Sequence, residues 1–173
     1  MSAPFDAAEL FRRLATAGVE HVVIGGFAVI AHGVIRATKD VDVCPSPEPA
    51  NLRRLAALLR ELNARQVGQE ELGDGSFPLD PTDPAHLALG GNFLVQTDIG
   101  RLDIMQWVSG VDEQDAYGDL VRNAVTGDAF GVRIQVASLA DVRRMKRAAG
   151  RPRDLQDLKE LAIAHGEAEP TAD

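Results

Sequence analysis

Three aspartates and a pair of glycines are the residues of this chain whose types and spacing could do chemistry. Asp40 and Asp42 stand two apart in KDVDV, and Asp103 sits in RLDIM. The polar–apolar alternation of both stretches predicts strands with one wet face. Side chains two apart on a strand point the same way, so Asp40 and Asp42 project together, roughly 6.5–7 Å apart along the chain, while Val41 and Val43 enter the core. Leu102 and Ile104 put Asp103 in an equivalent setting. If the two strands are neighbours, about 4.8 Å apart, the carboxylates surround a volume suited to two Mg²⁺ ions about 3.5–4 Å from one another. Mg²⁺ takes oxygen ligands and keeps waters, which leaves positions for phosphate oxygens. Without a cation, three clustered anions repel and raise one another's pKa. Upstream, Gly25-Gly26 follows an apolar run and precedes a short helix-compatible stretch, where backbone N–H groups can cradle a phosphate chain. Each feature alone has a plainer reading: D-x-D is commonly the exposed half of an amphipathic strand, and Gly-Gly a tight turn.

The elements that must position these residues are legible in order. Asp6 and Glu9 resemble a capping box ahead of the stripe Leu10, Phe11 and Leu14, which predicts a helix over 6–17. Residues 19–24 are β-branched and bounded by glycine, a buried strand. Residues 27–32 suit a short helix ended by Gly33, and 39–44 a strand stopped by Pro45, Pro47 and Pro49. Leu52, Leu55, Leu59 and Leu62 predict a helix over 48–63. From 68 to 92 the periodicity dissolves into Gly, Pro and acids (Glu70, Glu71, Asp74, Asp80, Asp83). Residues 92–98 and 101–107 read as a hairpin. The stretch 117–125 is weakly helical, and 131–136 is another short strand. Ser138 with Asp141 opens a helix that Gly150 ends. Pro152 starts the last helix, with Leu155, Leu158, Leu161 and Ala162 apolar. Residues 166–173 form a polar tail.

Length and composition set bounds. A chain of 173 residues with 45% hydrophobic residues supports one domain with a real core. Its apolar runs fall well short of a membrane span, no signal peptide is evident, and the single Cys44 excludes a disulfide framework, so a cytoplasmic setting is expected. A formal net charge of −8 argues against a general nucleic-acid binder. Against that average, residues 143–153 gather Arg143, Arg144, Lys146, Arg147, Arg151 and Arg153 with no acid. They are either a solvated helical face or a phosphate-facing patch. His32 reads as a packing or capping residue and Cys44 as a buried thiol. Trp107, Tyr117 and the six Phe are too dispersed for a base-stacking platform.

Gly-Gly, about a dozen residues, D-x-D, and a third Asp on a later strand resemble the DNA polymerase beta-like nucleotidyltransferase superfamily. Within it, GGFAVIAHGVIRATKDVDV and SLADVRRMKRAAGRPRDLQDL are similar to the small bacterial nucleotidyltransferases of the abortive-infection (AbiEii-like) toxin type. The resemblance implies an α/β fold: a mixed β-sheet nucleotidyltransferase core flanked by helices over 1–110, with a C-terminal strand and helices over 111–165 closing the cleft. It implies Mg²⁺-dependent transfer of NMP from an NTP to an acceptor hydroxyl, with tRNA the expected acceptor, contacted through 143–153, and a cognate antitoxin protein as a possible partner. Gly25 and Gly26 would hold the triphosphate, Asp40 and Asp42 both metals, and Asp103 the catalytic metal and the attacking hydroxyl. Arg36, Lys39 and Lys146 would contact phosphate. Many members carry Gly-Ser where this chain has Gly26, so backbone donors must suffice. Transfer to a protein or a small molecule such as an antibiotic, or a non-catalytic nucleotide-binding module, remain the alternatives.

Overall fold

Local chemistry sets most element boundaries in the computed structural model, which describes residues 4–67 and 79–168. Asp6 accepts from the Glu9 N–H at 2.9 Å and opens helix α1 (Ala7–Thr16), whose Leu10, Phe11 and Leu14 are buried. Strand β1 (His21–Ile24) runs straight into helix α2 (Gly25–Ala31), and strand β2 (Asp40–Pro45) returns beside it. Helix α3 (Pro49–Glu61) has proline at its start, where the missing N–H would have been unpaired anyway. A two-residue strand β3 (Arg65–Gln66) and a short helix α4 (Pro84–Ala88), capped by Asp83, precede the hairpin of β4 (Asn92–Thr97) and β5 (Gly100–Met105). Helix α5 (Ala116–Val121), strands β6 (Val125–Ala129) and β7 (Val132–Val136), and helices α6 (Leu139–Ala149) and α7 (Pro152–Ala164) follow. Ser138 caps α6 through the Asp141 N–H, and Gly150 ends it in the left-handed region at φ 61°.

The strands form one mixed sheet in the order β3-β4-β5-β2-β1-β7-β6. β2 lies parallel to β5 and β1 parallel to β7, while the other neighbours are antiparallel. Val22, Val23, Val41, Val43, Leu102 and Ile104 carry the middle of the sheet into a core shared with α1 and α3. This is the helix-flanked mixed sheet expected from the sequence. It sets β2 and β5, the two aspartate-bearing strands, side by side at its centre.

Several stretches differ from expectation, the two-residue β3 among them. The helix anticipated over 117–125 stops at Val121, and β6 takes over at Val125. All but the last residue of β6 is exposed at the sheet edge, so it has no buried face to impose alternation. Within 68–92, the α4 helix escapes the periodicity because it is a single capped turn and a little more; Glu70, Glu71 and Asp74 lie outside the described residues. Finally, Leu155 is 50% exposed, and α7 instead buries Asp154 and Asp157 beside Leu158, Leu161 and Ala162. A buried carboxylate is tolerated only with partners, and these two have them, as the site shows.

Asn51 at the start of α3 ties three segments together. Its side chain, 0% exposed, accepts from the Glu20 N–H at 2.7 Å and donates to the carbonyls of Glu20 and Ser46, each at 2.9 Å. Asn51→Ala would strand these backbone groups away from water. It is expected to lower stability by about 2–4 kcal/mol in urea unfolding monitored by circular dichroism.

Candidate active site

The parallel register of β2 on β5 decides the site. Asp42 stands directly opposite Asp103, with Asp40 opposite Arg101, so the side chains of all four emerge on one face of the sheet. Carboxylate oxygens of Asp40, Asp42 and Asp103 lie within 4.8 Å of one another. Burial pushes the Asp42 carboxyl up to about 7, with the charges of Asp40 and Asp103 adding to it; the Gly26 N–H and Lys146 pull the other way. Burial also raises Asp103, opposed by the hydrogen bonds of Arg101. Such a set of hard oxygen donors, crowded enough to keep a proton near neutrality, fits a divalent cation such as Mg²⁺.

Each carboxylate is oriented by a neighbour. Thr38 Oγ1 donates to Asp40 Oδ1 at 3.0 Å, and Arg101 reaches Asp103 through Nε at 2.9 Å and a second nitrogen at 3.3 Å. The Gly26 N–H donates to Asp42. The glycine pair is required by this packing. Gly25 has φ 62°, and a Cβ there would overlap the Asp42 carboxylate; a Cβ on Gly26 would sit 2.6 Å from Thr38 Oγ1. His32, at the end of α2, bonds the Ala137 carbonyl at 2.8 Å, a packing role as expected, and Cys44 is a buried thiol pushed up to about 12 by burial.

A second charge cluster shares this cavity with the triad. Lys146 Nζ is 2.9 Å from both Asp154 and Asp157, and Arg36 grips both oxygens of Asp157 at 2.7 and 2.6 Å. Burial works to raise Asp154, but its bonds to Arg151 and Lys146 prevail and hold it below the usual carboxylate range. The structure thus brings Arg36 and Lys146 together with Gly25, Gly26 and the three aspartates on the walls of one cavity of about 710 Å³. Lys39 is exposed and is not among the residues lining it. Of the basic segment 143–153, Arg143, Arg144, Lys146 and Arg151 have carboxylate partners, whereas Arg147 and Arg153 have none among the described residues.

The sequence reading missed Thr38, Arg101, Asp154 and Asp157. Arg101 was signalled by its spacing of two from Asp103 on a strand. The two acids of α7 sat in view in RPRDLQDL, but an amphipathic count assigns acids to the wet face.

No protein-family model and no curated protein matches the chain. Solved structures do match in fold. The antibiotic-resistance factor ANT(2'')-Ia shares 16% identity at a TM-score of 0.55, over 92% of this chain and 84% of that one. An inferred nucleotidyltransferase from Thermotoga maritima shares 17% identity at a TM-score of 0.53, over 92% and 96% of the two chains. At such identities the likeness is one of fold, the nucleotidyltransferase type of mixed sheet and helices. No described helix is long and apolar enough to cross a membrane.

Two outcomes follow from the charges. Between pH of about 4 and about 7, Asp42 is ionised in the unfolded chain and protonated in the folded one, so the folded state binds more protons. Metal-free protein should therefore lose stability as pH rises through that window. Asp42→Asn should flatten the slope and raise the melting temperature in EDTA, and divalent metal should stabilise only the wild type, all read by thermal melts across pH. Asp157→Ala leaves Arg36 and Lys146, 12% and 11% exposed, facing each other without their shared anion. It should cost about 3–5 kcal/mol in urea unfolding.

Proposed function

We propose that the protein is a nucleotidyltransferase that moves a nucleoside monophosphate from an NTP to an acceptor hydroxyl and releases pyrophosphate. The observation that carries this is the juxtaposition of Asp42 and Asp103 across the β2–β5 register, with Asp40 alongside and the Gly25–Gly26 backbone packed on Asp42. Asp40, Asp42 and Asp103 would hold Mg²⁺, two ions in the fullest form of the reading, which when bound supplies positive charge to the attacking and leaving oxygens. Gly25 and Gly26 line the cavity beside Asp42, where a triphosphate would lie along that stretch of backbone. Lys146 and Arg36, fixed by Asp154 and Asp157, offer a cationic wall beside it. Asp103 accepts the acceptor's proton as the new O–P bond forms at the α-phosphorus and the bond to the β-phosphate oxygen breaks.

A second reading keeps tRNA as the acceptor, in the manner of a toxin with a cognate antitoxin. It is supported by Arg147, Arg151 and Arg153, all exposed around the α6–α7 corner, two of them on the cavity wall. The carboxylate partners of Arg143, Arg144, Lys146 and Arg151 reduce what that segment has left for a phosphate backbone.

The test is pyrophosphate release and transfer of α-³²P label with each NTP, Mg²⁺ and either total tRNA or small hydroxylated acceptors. Asp103→Asn is expected to lower turnover roughly a thousandfold, a loss of several kcal/mol of charge stabilisation, while NTP still binds. Label on RNA would favour the second reading. Wild-type protein with no metal-dependent binding of any NTP would overturn the function proposed.

A further inference from the structure

We propose that the free edge of β6 is a self-association surface, and that its occupant is β6 of a second copy of this chain, paired antiparallel about a two-fold axis through Gly127. The sheet ends in β3 on one side and in β6 on the other, and the two edges are built differently. β3 is two residues long, too short to template another strand. β6 runs from Val125 to Ala129, pairs with β7 residue for residue without a bulge, and contains no proline or lysine. Short length, bulges, proline and lysine are the usual protections of an edge strand, and β6 lacks them all. Val125, Thr126, Gly127 and Asp128 are exposed, and no described strand pairs with their outer side. No residue of β6 lines the cavity of the aspartates, so pairing there leaves that site open.

The hairpin fixes which backbone groups face outwards. Phe130 and Gly131, at φ 54° and 78°, form its two-residue turn, so Ala129 and Val132 exchange hydrogen bonds and the pairs alternate from there. The Ala137 N–H donates to the Val23 carbonyl at 2.9 Å, which leaves Val132, Ile134 and Val136 facing β6, as the alternation requires. Ala129, Gly127 and Val125 thus spend their N–H and C=O groups on β7. Thr126 and Asp128 turn theirs to the free edge. With Gly127 opposite the partner's Gly127, Thr126 meets the partner's Asp128, and both residues of each such pair have the outward N–H and C=O that the ladder needs. The hairpin end is held in place for this, since Phe130 stacks on Phe11 with ring centroids 5.6 Å apart.

Charge complementarity selects that register and a second copy as the partner. Thr126 and Asp128 share one face of the hairpin with Gln135 and Arg133, their neighbours on β7. The side chains of Asp128 and Arg133 form no ion pair among the described residues. Across the axis each row reads Gln135, Thr126, the partner's Asp128 and the partner's Arg133: a hydroxyl faces each carboxylate and no like charges are opposed. Moving the axis to Asp128 sets two aspartates against each other, which is unfavourable. On the other face Val125, 52% exposed, gains the partner's Ala129 across the axis and the partner's Phe130 beside it, a ring 45% exposed in the single chain.

In sedimentation velocity from about 1 to 500 µM, the full chain is expected to pass from monomer to dimer with a Kd on the order of 50 µM, as suits a short interface. Thr126→Asp places like charges opposite one another on both sides of the axis and should weaken association about fivefold, whereas Thr126→Lys should strengthen it by a similar factor. Gly127→Cys is tolerated, since a Cβ there meets no atom within 4 Å. It sets two thiols across a non-hydrogen-bonded pair with Cα atoms about 4.5 Å apart, within reach of a disulfide. Oxidation with diamide should link this variant into a dimer on non-reducing gels. Arg133→Cys, a strand further from the axis, and the wild type, whose one thiol is the buried Cys44, should remain unlinked. A monomer across the whole concentration range, equal association of Thr126→Asp and Thr126→Lys, or Arg133→Cys linking as fast as Gly127→Cys would overturn the proposal.

Discussion

Like-charge repulsion inside a half-buried cavity is the constraint on which the rest of this structure depends. The parallel pairing of β2 with β5 forces Asp42 and Asp103 face to face and leaves Asp40 on the same side. No side-chain rotation removes three carboxylates from a face fixed by backbone register. The neighbours are accordingly chosen to orient or counter them: the Gly26 N–H on Asp42, the Thr38 hydroxyl on Asp40, and the Arg101 fork on Asp103. The close approach of α2 follows from the same demand, since only glycine at position 25 lets the backbone reach Asp42.

The second charge cluster plays the complementary part. Lys146, Arg36, Asp154 and Asp157 are all largely buried, and desolvating such groups costs several kcal/mol each before pairing offsets it. A hydrophobic patch would join α6 and α7 to the loop after α2 at lower cost. What the ionic arrangement adds is geometry: Asp157 holds two cations from separate elements at fixed separation, and both line the cavity that contains the triad. The same arrangement explains why the basic segment is less available to a polyanion than its composition suggests, because its cations largely face carboxylates of their own chain.

Legibility in the sequence varied with how local the cause was. Capping residues Asp6 and Ser138, the proline at the start of α7 and the αL glycine after α6 act within a turn of where they stand, and the boundaries they predict are those observed. The D-x-D and R-L-D stretches also follow local alternation. Strand β6 was illegible because an exposed edge strand needs no alternation, and the acids of α7 were misplaced because an amphipathic count sorts residues by polarity and not by the partners they will meet. Trp107 looked isolated among dispersed aromatics; its place at the mouth of a cavity depends on Asn92 and Gly90, which reach it only through the β4–β5 pairing.

The sequence by itself determined the chemistry on offer: three aspartates on two strands, two glycines after a third, and a mixed α/β order of elements. Alternation and capping are short-range, so one chain suffices to read them. Only the tertiary structure decided that Asp42 and Asp103 share one register, that Lys146 and Arg36 share the Asp157 carboxylate, and that Lys39 is not among the residues lining the cavity. Each of these depends on which strand lies beside which and which helix closes over them, and no local pattern encodes a partner more than 50 residues away.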